Sequence, residues 1–116
     1  MQNENEKIVK IEFTSEFKRN LRTLAKKYRH IKSDIIPVIE QLSRGKILGR
    51  KVPGTKYNIY KVRVKNTDIP TGKQGGYRVI YYQKKANFII LVTIYSKTEQ
   101  ADITAKQIRR ILQEFD

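Results

Sequence analysis

The sequence predicts an α+β fold in the order strand, helix, helix, three strands, helix. An N-terminal strand and a helical hairpin pack on a mainly antiparallel four-stranded sheet. Three observations carry this expectation. Apolar and polar residues alternate over residues 7–13 and 57–65, the two-residue period of a strand with one buried face. Apolar residues recur at helical spacing over residues 17–28, 35–42 and 108–115. Residues 75–97, GGYRVIYYQKKANFIILVTIYSK, read as two strands around a polar turn. Short links between consecutive strands favour antiparallel pairing, with the helices covering one face.

Residues 1–6 are polar and expected to be a disordered tail, and residues 7–116 a single domain. From Lys7 to Phe13, Val9, Ile11 and Phe13 take one side and Lys10 and Glu12 the other. Thr14 can cap the next helix, and Glu16 suits the positive end of its dipole. Phe17, Leu21, Leu24, Ala25 and Tyr28 form that helix's core face. Its outer cations, Lys18, Arg19, Arg22, Lys26 and Lys27, are either ordinary solvated charges or a rail for phosphates. A second helix is expected from about Ser33 to Ser43, because Pro37 belongs near a first turn; Gly45 stops it. Residues 44–56 read as a basic, glycine-punctuated connection with a turn at Pro53-Gly54.

Between Tyr57 and Lys65, Tyr60, Val62 and Val64 face one way and Ile59, Lys61, Arg63 and Lys65 the other. Residues 66–76 read as a long, polar, exposed loop. Tyr77–Tyr82 and Phe88–Tyr95 are strands joined by residues 83–87, the second buried on both faces. Thr104 and Gln107 form a capping box, with Ile103 and Ile108 as its hydrophobic staple. Ile108, Ile111, Leu112 and Phe115 make one stripe, which packs on the sheet or binds a partner.

Composition excludes several function classes. There is no cysteine, and His30 is the single histidine, in a basic stretch with nothing in the sequence to orient it. Disulfide scaffolds, thiol nucleophiles and zinc ribbons are therefore out, and no cofactor or metal is expected. No apolar run is long enough to span a bilayer, and the N-terminus is no secretory signal, so the expected location is cytoplasmic, without membrane contact. With 25 Lys and Arg against 11 Asp and Glu, the net charge is +14. Such a surface attracts polyanions, either nucleic acid or an acidic protein.

Lys61 and Arg63 share one strand face, and Arg78 lies on the neighbouring strand. Three cations converging on a sheet would suit a phosphodiester, since a guanidinium offers a planar fork to phosphate oxygens. Without a metal cage, RNA cleavage would use the substrate's own 2′-hydroxyl as nucleophile. An alternative for Arg78 is a buried pair with Glu12 or Asp102.

The succession of elements, YKVRV at Tyr60–Val64, GGYRVIYY at Gly75–Tyr82 and IYSKTEQADITAKQIRRIL at Ile94–Leu112 together resemble the RelE/ParE superfamily of bacterial toxins, from about Lys7 to Phe115. The resemblance implies a RelE-like toxin domain encoded with an acidic antitoxin. RelE-like members are messenger-RNA interferases, metal-independent endoribonucleases that inhibit translation by cutting in the ribosomal A site during the stress response. By position, Lys61, Arg63 and Arg78 correspond to the catalytic cations, with Lys56, Lys65, Lys97 and Tyr95 assigned to RNA binding. Thr98 and Thr104 stand where the family has an arginine and a tyrosine; Tyr95, Lys97 or Glu99 are the candidate substitutes. Two alternatives stay open for that reason: a ParE-like inhibitor of DNA gyrase, and an RNA-binding member without catalytic activity.

Overall fold

The computed structural model describes residues 8–70 and 75–115; the expected tail and the expected strand start at Lys7 lie outside the described residues. The strands are β1 (Lys10–Phe13), β2 (Arg50–Lys51), β3 (Ile59–Val64), β4 (Tyr77–Lys85) and β5 (Phe88–Ser96). The helices are α1 (Ser15–Lys27), α2 (Ile31–Ser43) and α3 (Ala105–Phe115). They build the expected α+β architecture, but the sheet has five strands, in the order β1-β5-β4-β3-β2. Among the described residues, only the β1–β5 pair is parallel. The additional strand is β2, inside what reads as a plain connection. Two residues are too few to show a period. Tertiary contact makes the strand: Arg50 faces Lys61, Lys51 faces Tyr60, and the amide of Val52 donates to the Ile59 carbonyl at 2.8 Å.

The helices do not share one face. The α1–α2 hairpin buries Phe17, Leu24, Tyr28, Ile31, Ile35 and Leu42 against Val62, Val64, Tyr77, Val79 and Tyr81. Helix α3 lies on the other side, where Ile108, Ile111 and Leu112 meet Ile59, Ile80, Val92 and Tyr95. The reason is visible in β5, which is buried at eight consecutive positions and so needs cover on both sides. Burying those three α3 side chains contributes roughly 1.5–3 kcal/mol each. The capping box forms as expected: the amide of Gln107 donates to Thr104 Oγ1 at 3.1 Å, and that of Thr104 to Gln107 Oε1 at 2.8 Å. The stripe packs on the sheet, and Ile103 joins it.

Thr14 caps α1 through the amide of Phe17 at 3.0 Å, and its own hydroxyl donates to the Val92 carbonyl at 2.6 Å. That carbonyl lies at an irregularity in β5: Ile80 faces Thr93, yet Tyr81 faces Leu91, leaving Val92 as an inserted residue. Asn20 Nδ2 holds the far side of this bulge through Thr93 Oγ1 at 3.0 Å and the Ile94 carbonyl at 3.3 Å.

Three boundaries differ from expectation. Helix α2 begins at Ile31, so Pro37 lies past its first turn and removes one helical hydrogen bond, a loss that the burial of Ile31, Ile35 and Leu42 outweighs. Strand β4 continues through Gln83, Lys84 and Lys85, leaving Ala86-Asn87 as a two-residue turn. The loop after β3 is anchored where it leaves the sheet. Asn66 is buried, the amide of Thr67 donates to Asp34 Oδ2 at 3.0 Å, and the amide of Asp68 donates to Asn66 Oδ1 at 2.9 Å. His30 also acquires an orienting group, Asp68 Oδ1, 2.6 Å from its Nδ1. No sequence pattern announces a partner 38 positions away.

Gly49 has φ 81°, and a Cβ there would stand 2.1 Å from the Lys61 carbonyl oxygen. Gly54 has φ 82°, but its nearest neighbour would be the Ala105 Cβ at 4.0 Å. Gly49→Ala is expected to cost roughly 2–4 kcal/mol, a backbone clash added to left-handed strain. Gly54→Ala should cost only about 1 kcal/mol. Urea melts of the two variants check this, and equal losses would contradict the close approach of β2 to β3.

Candidate nucleic-acid interface

Because side chains alternate along a strand, residues facing each other in register share a face. On the α3 side of the sheet this produces two rows. Arg50 of β2, Lys61 of β3 and Ile80 of β4 form one; Arg63, Arg78 and Tyr95 form the next. The expected convergence of Lys61, Arg63 and Arg78 is therefore present. The rows are about 7 Å apart along each strand and neighbouring strands about 4.8 Å apart across it.

The residues differ in their surroundings. Arg63 is exposed, whereas Arg78 is 5 % exposed and donates from Nη1 to the Tyr77 carbonyl at 3.2 Å. Burial lowers the Arg78 pKa, and the facing Arg63 lowers it further. Lys61 Nζ lies 3.1 Å from Asp102 Oδ1, with the carboxylate side chain mostly in solvent. The Tyr95 hydroxyl donates to the same oxygen at 3.3 Å. Burial, reinforced by Asp102, pushes the Tyr95 phenol up to about 12, so it stays a proton donor at neutral pH. Glu12 lies 3.1 Å from Lys10 Nζ.

The remaining expected contacts are scattered. Lys65 is exposed and follows β3 with the parity of Lys61 and Arg63. Lys97 leaves β5 opposite Gly76, its amide donating to the Gly76 carbonyl at 2.9 Å and its Nζ to the Ala101 carbonyl. Lys56 stands apart, in the turn before Ile59, roughly 13 Å of strand rise from the Arg63 row. Tyr95 is buried, so its ring is packed against α3 rather than presented for stacking. Thr98 is bound to Ser96 at 3.0 Å, and Thr104 caps α3. The α1 cations lie over the opposite face of the sheet and are not continuous with this site.

Sequence reasoning missed Arg50 and the role of Asp102. Both line a cleft of about 960 Å³ together with Lys61 and Arg63; the cleft runs around the β2 edge to take in Leu48 and Val62 as well as Val38 and Gln41 of α2. The available signals were slight: a basic run around Gly49, and an acid two residues before a helix cap. Among the described residues, no three His, Asp or Glu side chains gather as a metal site, and no helix is long and apolar enough to cross a membrane. The sequence matches the family model described as ParE toxin of type II toxin-antitoxin system, parDE, over residues 11–101.

The amide of Ile103, then Lys61, hold the Asp102 carboxyl below its ordinary pKa. A carboxyl with a depressed folded-state pKa stabilises fully above its unfolded value and loses that contribution as the pH falls through the folded one. Asp102→Asn should therefore flatten the stability–pH curve below about pH 4 relative to the parent and leave its slope at pH 6–8 unchanged. Urea melts across that range read the difference, and parallel curves at acid pH would refute the Asp102 contacts.

Proposed function

The chain belongs to the ParE toxin family of type II toxin-antitoxin systems, and from that premise we propose that it is a metal-independent endoribonuclease directed at messenger RNA on the ribosome. Membership in the family implies an antitoxin partner; the charge of +14 favours an acidic one. The observation that supports cleavage of a phosphodiester is the direct opposition of Arg63 and Arg78 across β3 and β4. Like charges facing each other in a sheet are unfavourable. An anion between them reverses the sign of that interaction, most strongly when charge accumulates at phosphorus.

In this mechanism the substrate's 2′-oxygen attacks the adjacent phosphorus, its proton passing to water, and the bond to the 5′-oxygen breaks. A 2′,3′-cyclic phosphate and a free 5′-hydroxyl result. Arg63 and Arg78 stabilise the five-coordinate phosphorus through charge-assisted hydrogen bonds. Lys61 contributes a further positive charge and a proton for the departing 5′-oxygen. In the free protein Tyr95, kept protonated by burial, holds Asp102 and through it the resting position of Lys61. A ribosome-bound message places the activity in the cytoplasm.

A second reading, inhibition of DNA gyrase without catalysis, is favoured by one observation. Tyr95 is buried and Thr98 and Thr104 are engaged locally, so the face offers cations more readily than a stacking platform. The two readings separate in purified systems. A coupled translation reaction with primer extension should show cuts in ribosome-bound message, while gyrase supercoiling proceeds unaffected. Intact message alongside accumulating gyrase–DNA breaks would reverse the assignment. Arg63→Ala should lower cleavage about 10²–10³-fold with an unchanged or raised melting temperature. An active Arg63→Ala enzyme would remove the guanidinium pair from the mechanism.

A further inference from the structure

The Asp102 carboxylate is an anion seated on the basic face. It accepts from Lys61 Nζ at 3.1 Å, the Tyr95 hydroxyl at 3.3 Å and the Ile103 amide at 2.8 Å, all through Oδ1. Across the strand pair from Lys61 stands Arg50, exposed and on the same side of the sheet. The same cleft is lined by Arg50, Lys61, Arg63 and Asp102. Its volume, about 960 Å³, is at the upper end of the roughly 300–1,000 Å³ typical of small-molecule sites. Arg63 lines it but Arg78 does not, so a phosphate at the Arg63–Arg78 pair would sit at its margin and leave the part beside Arg50 and Lys61 empty.

We infer that Arg50 and Lys61 form a second phosphate subsite, one strand row from the Arg63–Arg78 pair, whose place is held in the free protein by the carboxylate of Asp102. The inference rests on the reading that this face binds an RNA strand, and it extends the footprint to two phosphates of that strand. The geometry supports it in three ways. The rows repeat along β3 at about 7 Å. Arg50 is exposed and presents a planar donor fork beside Lys61. Asp102 is held on the short segment between β5 and the cap of α3, so its side chain can turn into solvent without disturbing the buried stripe of the helix.

Arg50 and Lys61 are brought together by β2, a strand that Gly49 permits by its approach to the Lys61 carbonyl. The subsite is therefore a product of the fifth strand. In the free state Asp102 neutralises part of the row and limits repulsion between Arg50 and Lys61. When a phosphate arrives, one anion replaces another, and the net cost is only the small one of releasing an exposed ion pair. Removing the Asp102 charge should consequently favour the strand, whereas removing Arg50 should cost one phosphate contact.

The test measures binding of a 2′-O-methylated RNA octanucleotide, which keeps its phosphates and cannot be cut, by fluorescence anisotropy over a range of salt. Each lost phosphate contact on a single strand reduces the magnitude of the log Kd–log salt slope by about 0.7. Arg50→Ala should show that reduction; Arg22→Ala, which removes the same charge from the α1 face, should not. Asp102→Asn should bind about three- to fivefold more tightly at low salt. Melting curves confirm that each variant is folded. An unchanged slope for Arg50→Ala, or unchanged or weaker binding by Asp102→Asn, overturns the second subsite. If Arg63→Ala still weakens binding in that case, the RNA reading survives without it; if Arg63→Ala has no effect either, both fall.

Discussion

The inserted residue in β5 decides which side chains this protein presents on which face. Before it, Ile89 and Leu91 point toward the helical hairpin; after it, Ile94 does, while Val92 and Tyr95 turn to α3. Strict alternation from Leu91 would have sent Tyr95 to the hairpin side and left Arg78 with a different neighbour. The bulge is held by groups from the first helix: the Thr14 hydroxyl on the Val92 carbonyl and Asn20 on Thr93 and Ile94. One threonine thereby both starts α1 and secures the strand irregularity. The parallel strand β1 brings it there, because the amide of Thr14 also donates to the Leu91 carbonyl at 3.1 Å.

From that constraint follows the electrostatic character of the α3 face. Its apolar part, around Ile59, Ile80 and Val92, is covered by the helix, and its cationic part lies beyond it along the strands. Arg109 fixes the helix by donating from Nη1 to the Gly54 carbonyl at 2.8 Å, so α3 is tied to the turn joining β2 and β3 as well as to the sheet. On the other face, the Tyr81 hydroxyl accepts from the Leu48 amide at 2.9 Å and donates to the Leu48 carbonyl at 2.7 Å. This holds the chain leading into β2. The short edge strand is therefore positioned from both sides of the sheet by contacts distant in sequence.

How far the sequence disclosed this depends on the range of the interactions concerned. The capping of α1 by Thr14 and the Thr104–Gln107 box involve residues three apart, and both were legible. The alternation along β3 correctly put Lys61 and Arg63 on one face, since parity needs only a few neighbours. The burial of β5 on both faces is legible as well, but which elements cover each side is not, because that is set by tertiary packing. The inserted Val92 left no trace, because an uninterrupted apolar run has no alternation to break. Arg50 was hidden for the opposite reason: its strand exists only through Lys61 and Tyr60, and its basic setting resembled any solvated connection. The Asp102–Lys61 and Asp68–His30 contacts span 41 and 38 positions, and a carboxylate in a loop carries no local mark of its partner.

The placement of positive charge on both broad faces has a kinetic consequence. Lys18, Arg19, Arg22 and Lys26 line the α1 side, while Arg50, Lys61, Arg63 and Lys65 line the other. A molecule with one charged side would be turned by the field of a polyanion as it approached. This one is drawn in from any direction with little torque to orient it. On the proposed nucleic-acid reading, first contact is then fast and indiscriminate, and the productive pose is reached by short dissociations and rebinding along the strand. Added salt would slow the capture and shorten the search together, so the observed rate of target finding should pass through a maximum at intermediate ionic strength.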